Sequence, residues 1–259
     1  MDLLETGSEY RHPWELSRVD CLIKMILPYL SGFRKTVADI GCGDLFFTGK
    51  LAACFKGDIF AVDTGFTEDF IDDPSGDTAG DAENHSLSNQ AKITILYDIN
   101  QLEDNSIDIA VLMDVLEHIE DQNEFLTLLS KKLSDKALVF ITVPAFMHLF
   151  SGHDVFLKHH RRYNKKSLSA VLTDNGFKID RFFYFYSILY ILRLLQFAAT
   201  RRKKSDRMVN NISLWKKDEK SPVTRFLRRI LNLDFRINKI LGRFSLFGLS
   251  LCAIYKTST

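Results

Sequence analysis

The chain has 259 residues, enough for one large α/β domain or one domain with a modest insertion, and its 46% hydrophobic and 26% charged residues are ordinary for a folded soluble protein. The formal net charge of +1 is unevenly placed: residues 64–91 carry seven acids and no Lys or Arg, whereas residues 200–243 carry fourteen Lys/Arg against four acids, an asymmetry that concerns partners and not the fold. The four cysteines are scattered, with no C-x-x-C pair and no His/Cys run at zinc spacing, which argues against a disulfide framework or a structural metal.

Apolar patterns predict strands that alternate with helices along most of the chain. Residues 14–30 place apolar side chains three to four positions apart, which is typical of an amphipathic helix. Further helices are predicted at 45–55, 121–133 and 164–176, and strands at 36–44, 58–63, 93–99, 106–115 and 136–144. Continuous apolar strands that alternate with helices require a parallel sheet covered on both faces. The predicted fold class is therefore α/β, with a doubly wound sheet.

The C-terminal part of the chain has a different character. Residues 177–188 and 247–256 predict a sixth and a seventh strand, with roughly sixty basic and apolar residues between them. We predict an N-terminal helical cap, a core, a basic amphipathic helical insertion and the final strand of the core, at 1–35, 36–187, 188–244 and 245–259. The acidic segment 64–91 is predicted to be a long loop between the second and third strands, because it is rich in Asp, Ser, Gly and Asn.

Acidic residues accompany three consecutive predicted strands. Gly41 and Gly43 allow a tight turn and a close approach of the backbone to a ligand. Asp39 precedes that turn by two residues, Asp63 closes the second strand and Asp98 ends the third. Ligands of such sheets bind outside the carboxyl ends of the strands, where an acid can accept hydrogen bonds from ribose hydroxyls. The glycines alone are equally well explained by a structural turn, but the converging acids favour a ligand site.

The segments DIGCGD, FAVD, YDI and DIAVLMDVLEHIED, in this order, resemble the motifs of class I S-adenosylmethionine (SAM)-dependent methyltransferases. More narrowly they resemble a bacterial branch with an LEH-type fourth motif and an HD…HRRY signature. The resemblance covers close to 150 residues and implies a Rossmann-like, seven-stranded mixed sheet with an antiparallel last strand, and SAM as cofactor. It implies that the glycine turn contacts the methionine part of SAM and that Asp63 contacts the ribose. It also implies that the end of the third strand contacts the adenine and that the end of the fourth strand contacts the sulfonium. The implied cofactor-binding residues are Asp39, Gly41, Cys42, Gly43, Asp63, Asp98, Ile99, Met113 and Asp114.

One position departs from the family pattern, and two other enzyme classes fit less well. Leu45 stands where the family usually has a third small residue, most often Gly, and its side chain is expected to crowd the loop. An NAD-dependent dehydrogenase is not favoured, because Phe46 replaces the last glycine of G-x-G-x-x-G and no Tyr-x-x-x-Lys pair follows. The fourth strand ends in LMDVLEH and not in an Asn/Asp-Pro-Pro-aromatic run, which argues against methylation of DNA-base amines.

Histidines and cations crowd into residues 153–163, in a loop that opens over the reactive end of the cofactor in a doubly wound fold. His153 or His160 is a candidate general base, because imidazole titrates near neutral pH. His118 is a second candidate, for which ordering of the LEH turn is the alternative role.

The same loop supplies the predicted acceptor-binding residues. Arg161 or Arg162 would bind an acidic group of the acceptor, and Tyr163 adjoins them. The alternative is a solvated basic loop that caps a helix. Arg18 and Trp14 could close over the cofactor carboxylate, but the pattern favours a surface cation and a packing indole.

The insertion carries one apolar stripe flanked by cations. The apolar residues fall three and four apart, and cations follow the same spacing one position earlier. This suits a helix in an anionic membrane interface, and equally a helical cap whose stripe packs on the domain. Nucleic acid is not favoured, because the aromatics do not alternate with the cations. The stripe is Phe226, Ile230, Leu233, Ile237, Ile240 and Phe244, and the cations are Arg225, Arg229, Arg236, Lys239 and Arg243.

The sequence therefore predicts a SAM-dependent methyltransferase. The expected acceptor is a small-molecule, saccharide or lipid-linked compound, and O-methylation is favoured over C- or N-methylation. The alternative is a non-catalytic SAM-binding or membrane-docked interaction protein with the same fold. The N-terminal residues lack a basic start followed by an apolar core, so the expected location is cytoplasmic, with peripheral contact at the inner membrane face through residues 200–243.

Overall fold

The structure is a computed structural model, and it describes residues 11–30, 35–66, 91–201 and 218–257, with side chains described up to residue 196 in the third range. The extreme N-terminus, most of the acidic segment 64–91 and most of the basic run at 201–204 lie outside the described residues.

Seven strands form one mixed sheet in the order β3-β2-β1-β4-β5-β7-β6. The first five run parallel to one another, and β7 pairs antiparallel with both β5 and β6. This confirms the predicted doubly wound sheet with an antiparallel last strand. The strands are β1 Thr36–Ile40, β2 Asp58–Val62, β3 Lys92–Leu96, β4 Ile107–Met113, β5 Leu133–Pro144, β6 Phe177–Phe185 and β7 Ser250–Thr257.

Helices cover both faces of the sheet. Successive side chains of a strand point to opposite faces, and these strands carry buried apolar side chains on both. One apolar cluster joins α1, α2 and α7 to one face, and another joins α3 and α5 to the other. In β1, for example, Val37 belongs to the first cluster and Ala38 to the second. The α-helices of the described residues are α1 Pro13–Ile26, α2 Phe46–Ala52, α3 Gln122–Lys132, α4 Gly152–Phe156, α5 Lys165–Asp174, α6 Ser187–Arg201 and α7 Pro222–Leu241.

The first helix is shorter than its apolar pattern predicts. It begins with a His12 cap and Pro13, and it ends at Ile26 instead of continuing to residue 30. Pro28 explains the difference, because proline has no backbone N–H and its ring clashes with the preceding turn of an α-helix. Residues Leu27–Tyr29 form a 3₁₀ turn instead.

Helices α6 and α7 occupy the chain between β6 and β7, where the insertion is predicted. Helix α7 packs on the molecule through one face, with Leu231 and Phe235 buried against the apolar cluster of α1. Arg228 on this helix donates two hydrogen bonds of 2.6 Å to the carboxylate of Asp20 on α1. A bidentate Arg–carboxylate pair fixes orientation as well as distance. The helix is therefore held in one register against α1.

The predicted apolar stripe of α7 and the 3₁₀ turn after it faces away from this packing. Ile240 is 84% exposed, Phe244 68% and Phe226 63%, and Leu233 and Ile237 are also exposed. The cap interpretation requires this stripe to pack on the domain. The stripe does not pack on the described part of the domain. Among the described residues, no helix combines the length and the hydropathy needed to cross a membrane.

Candidate active site

The carboxyl ends of four neighbouring strands lie along one edge of the sheet. Ile40 at the end of β1 pairs with Val62 of β2 and with Leu112 of β4, and Val62 pairs with Leu96 of β3. The residues that follow these strands therefore emerge side by side. Gly41, Asp63 and Asp114 directly follow β1, β2 and β4, and Asp98 is the second residue after β3. The acids predicted from sequence share one edge.

The turn after β1 requires its first glycine. Gly41 has φ of +70°, and a Cβ built on it would lie 2.6 Å from Cγ2 of Val115. Gly43 also has a positive φ, and its N–H donates a 2.8 Å hydrogen bond to Oδ2 of Asp63. The other oxygen of Asp63 accepts from the N–H of Gly65 at 2.8 Å. Asp63 thus fixes the glycine turn to the end of β2.

Leu45 adopts a left-handed backbone conformation of the kind that favours glycine. Its φ of 63° and ψ of 11° lie in the left-handed region, at a cost of roughly 1–2 kcal/mol for a residue with a Cβ. Its side chain packs against the small apolar cluster of Cys42, Ala61 and Phe66. The side chain therefore has apolar contacts of its own beside the turn.

Asp39 is completely buried beneath the glycine turn. Its Oδ2 accepts a 2.5 Å hydrogen bond from Thr48 on α2, and its Oδ1 has no partner among the described residues. Burial raises the pKa of this carboxyl to about 7. Since buried polar atoms are almost always hydrogen-bonded, the free oxygen suits a ligand that brings a donor or a positive charge. This is what the methionine end of SAM would present, so the residues fit that cofactor.

The third strand ends in a short capped turn. Asp98 accepts hydrogen bonds from the backbone N–H of Asn100 at 2.8 Å and from its side chain at 2.9 Å, and it caps the 3₁₀ turn Ile99–Gln101. Ile99 is buried. The turn therefore presents one acid and one apolar residue at the same edge.

The end of β4 carries a buried ion pair that the sequence pattern did not suggest. Asp114 has φ of +54°, accepts a 3.2 Å hydrogen bond from Thr142 and forms an ion pair with Arg18 of α1. Arg18 is only 5% exposed and lies 4.7 Å from the ring centroid of Trp14. This corrects the expectation of a surface cation. Burial lowers the pKa of Arg18, and its Nε has no partner among the described residues.

The LEH turn buries a second carboxylate. Glu117 lies in the 3₁₀ turn Leu116–His118 and is 0% exposed. No described side chain donates a hydrogen bond to either of its oxygens, and burial raises its pKa to about 8. The ring of His118 meets that of His159 edge-on at 4.7 Å between centroids, and the backbone N–H of His160 donates to the carbonyl of Glu117 at 2.8 Å.

Asp154 organises the loop that follows β5. Its buried carboxylate accepts hydrogen bonds from Arg162 at 2.7 and 3.1 Å, from Nδ1 of His159 at 3.0 Å and from the backbone of Ser151 at 2.9 Å. Burial by itself would raise the pKa of Asp154, but the hydrogen bonds from His159 and Arg162 outweigh it and hold that pKa below its usual range.

These contacts correct two of the predicted acceptor-binding residues. Arg162 is bound to Asp154, and Tyr163 is only 2% exposed, with its hydroxyl donating to the carbonyl of Leu116 at 3.0 Å. Tyr163 therefore holds the loop onto the LEH turn, and Arg162 binds an acid of its own loop instead of an acceptor. Arg161 donates one hydrogen bond of 3.0 Å, to the carbonyl of Glu120, and forms no ion pair with a described residue.

The three histidines predicted as bases occupy different positions. His118 is half-buried beside Glu117, whereas His160 and, on α4, His153 are exposed. The sequence reasoning missed Glu117, Asp154 and His159. The signal that could have identified Asp154 is its place in the HD…HRRY run, where a single acid stands among six cations and imidazoles.

Comparison with known proteins gives matches in the same region of the chain. The methyltransferase domain family matches residues 17–181. Two curated proteins from strains of Mycobacterium tuberculosis, each named as a "Probable S-adenosylmethionine-dependent methyltransferase", are 26% identical over 148 residues, which is 55% of this chain and 48% of each relative. The chain therefore spans about half the length of the curated relatives it matches.

Solved structures share the fold at low sequence identity. A geranyl diphosphate methyltransferase in complex with SAM superposes with a TM-score of 0.54 at 10% identity, covering 92% of this chain and 84% of that one. The [4+2]-cyclase SpnF gives 0.55 at 15% identity, covering 93% and 81%. A phosphoethanolamine N-methyltransferase from Haemonchus contortus gives 0.50 at 13% identity, covering 92% and 52%.

Proposed function

The chain belongs to the methyltransferase domain family, and on that basis we propose that it transfers a methyl group from SAM to a small-molecule, saccharide or lipid-linked acceptor, by O-methylation. The observation that carries this proposal is the single sheet edge at which the glycine turn and the acids of β1 to β4 meet. Ligands of doubly wound sheets bind at such an edge.

The proposed cofactor contacts follow the order of the strands. The turn of Gly41, Cys42 and Gly43 would approach the methionine part, with the free oxygen of Asp39 beneath it. Asp63 would hold the ribose, since each carboxylate oxygen has two lone pairs and each has so far one donor. The proposed adenine contacts are Asp98 and Ile99, and the proposed sulfonium contacts are Met113 and Asp114.

The chemistry required of the chain is positioning and proton removal. SAM supplies a methyl group that its sulfonium already activates. Holding the acceptor oxygen at attack distance contributes on the order of 7–11 kcal/mol in ideal intramolecular reactions. For a hydroxyl acceptor, His118, His153 or His160 would take the proton from the oxygen. The Arg18–Asp114 pair would fix the end of β4 beneath the reacting atoms.

Helix α7 gives a reason to prefer a lipid-linked acceptor. Its apolar stripe is exposed, with Arg225, Arg229 and Arg236 beside it. We propose that this face binds an anionic bilayer, where each cation near the surface contributes about 1 kcal/mol. The protein would then be cytoplasmic and peripheral at the inner membrane face.

A groove beside the helix supports the same choice of acceptor. A groove of about 740 Å³ between β6 and α7 is lined by four cations, one acid and apolar side chains that include Phe182 and Ile240. The cations are Arg181, Arg236, Lys239 and Arg243, and the acid is Asp180. No residue of the proposed cofactor site lines it. Apolar walls beside cations match a lipid with an anionic headgroup.

The competing function is a SAM-binding protein of this fold without methyl transfer. The similarity to a [4+2]-cyclase favours keeping this candidate, because it shows that the fold is also used by a protein named for another reaction. Residues at the sheet edge would then bind the ligand, and the loop after β5 would serve another purpose.

Product analysis separates the two candidates. The full chain is incubated with SAM and a lipid extract, and S-adenosylhomocysteine and methylated products are measured by mass spectrometry. The proposal predicts equal amounts of S-adenosylhomocysteine and methylated product, both lost in Asp63→Ala. SAM binding without either product, across hydroxyl, amine and lipid-linked acceptors, would support the non-catalytic alternative instead.

A further inference from the structure

Three metal-ligating side chains converge beside the proposed cofactor site. One ligand atom each from Glu117, His118 and His159 lies within 4.8 Å of the others. Glu117 and His118 belong to the turn after β4, whereas His159 follows 41 residues later, after β5. A backbone hydrogen bond of 2.8 Å from His160 to the carbonyl of Glu117 joins the two segments, and a second, from His159 to the carbonyl of Asp154, lies within the later one.

Asp154 orients the ring of His159 as the outer partner of a metal ligand would. Its ionised carboxylate can only accept a hydrogen bond, so Nδ1 of His159, 3.0 Å away, is the donor. In the neutral ring the lone pair is then on Nε2. A histidine that donates one nitrogen to a carboxylate and offers the other is the usual arrangement around protein-bound metals. Arg162 donates hydrogen bonds to both oxygens of the same carboxylate.

Glu117 supplies a second, independent observation. It is 0% exposed, and no described side chain donates a hydrogen bond to either of its oxygens. Burial of a carboxylate costs a great deal of free energy unless the group is paired, hydrogen-bonded or bound to a metal. Hydrogen bonding from described side chains does not meet this need, and a cation between Glu117 and the two imidazoles would.

We propose that Glu117, His118 and His159 bind one divalent transition-metal ion, with Zn²⁺ as the best match. Two imidazoles and one carboxylate with a further position open form a known type of zinc site. Magnesium and calcium are disfavoured, since both prefer oxygen ligands. Tetrahedral zinc with bonds near 2.0–2.1 Å requires ligand atoms about 3.3 Å apart. Because the ligand atoms lie within 4.8 Å of one another, the side chains must close in by up to about 1.5 Å.

The ion would change the roles assigned around the site. Its open position accepts water or an oxygen of a substrate, next to the end of β4. If the proposed methyl transfer holds, that oxygen belongs to the acceptor. His118 then ligates the metal, and the general base is His153 or His160. Metal binding itself does not depend on the methyl transfer.

Direct metal titration tests the site without SAM or acceptor. The untagged full chain is stripped with a chelator and titrated calorimetrically with Zn²⁺, and Co²⁺ is used as a spectroscopic probe. We expect one tight Zn²⁺ per chain and visible Co²⁺ bands of a tetrahedral nitrogen–oxygen site. Glu117→Gln and His159→Ala should each weaken Zn²⁺ binding at least tenfold, and Asp154→Asn by 10–100-fold if it acts through His159.

An exposed histidine outside the cluster provides the control. His148 lies in the 3₁₀ turn after β5 and is exposed, so His148→Ala should bind Zn²⁺ like the wild type. Thermal unfolding of each variant identifies any that fails to fold, and Glu117→Gln, which preserves size, keeps the test decisive. Absence of Zn²⁺ binding in the wild type, or unchanged binding in Glu117→Gln, would overturn the proposal. Neither outcome bears on whether SAM binds.

Discussion

At the scale of single residues, Gly41 is the position where the backbone leaves no room for a side chain. Its positive φ alone costs an alanine roughly 1–2 kcal/mol. A Cβ there would also lie 2.6 Å from Val115 at the end of β4, so the contact must open.

We predict that Gly41→Ala lowers the free energy of unfolding by about 2 kcal/mol and weakens SAM binding, because the turn must shift away from β4. Gly49→Ala is the matched control. Gly49 lies in α2 with no atom within 4 Å of a built Cβ, so this change should stabilise the protein, by up to about 1 kcal/mol. Chemical denaturation measures both. Equal effects of the two substitutions would contradict the proposed turn geometry.

Asp39 gives the site a pH signature. Burial raises its folded pKa to about 7, above the ordinary value of 3.8, so the folded protein holds this proton more tightly than the unfolded chain. Stability from this group is therefore complete below pH 3.8 and is lost as the pH rises to about 7.

We predict that Asp39→Asn removes this loss. Relative to wild type, the variant should gain stability as the pH rises over that interval, with a ceiling of about 4 kcal/mol. Denaturant unfolding at a series of pH values measures the difference. A difference that does not vary with pH would show that burial does not raise the pKa of Asp39.

At the scale of elements, α7 separates packing from exposure by helical face. The face with Leu231 and Phe235 is buried, and Arg228 fixes the helix to Asp20 of α1. The remaining apolar stripe is left in solvent beside cations, an arrangement that suits a membrane interface.

We predict that vesicles containing anionic lipid sediment the wild type and that Ile240→Asp together with Phe244→Asp abolishes this. The apolar side chains supply the insertion that charge attraction alone does not. Ile93→Asp is the control, because Ile93 on β3 is also exposed but lies far along the sheet from α7. Unchanged sedimentation of the double variant would refute membrane contact through α7.

At the scale of the whole molecule, the sheet was predictable because its strands are continuous apolar runs. The common edge of Asp39, Asp63 and Asp98 followed from parallel strand order, since parallel strands end at the same side. The end of α1 was missed because the apolar spacing continues through Pro28, where the backbone cannot remain helical.

The burial of charged side chains and their pairing with residues from distant segments were not predictable from the spacing of apolar residues in the sequence. Arg18 is an ordinary surface cation by sequence, and only tertiary packing places it against Trp14 and Asp114. Arg162 has the chemistry of an anion-binding residue, but its anion is Asp154 of its own loop. Periodicity does not show which side chains from distant segments meet, so the group of Glu117 and His159 was also missed.

Calorimetric titration with SAM tests the central claim, that the acids at this sheet edge form a SAM pocket. The account predicts one SAM per wild-type chain and at least tenfold weaker binding in Asp63→Ala, since loss of a hydrogen bond to a charged group costs about 1.5–3 kcal/mol. Glu103→Ala, at an exposed acid outside the pocket, should bind normally. No binding by the wild type, or equal binding by Asp63→Ala, would contradict it.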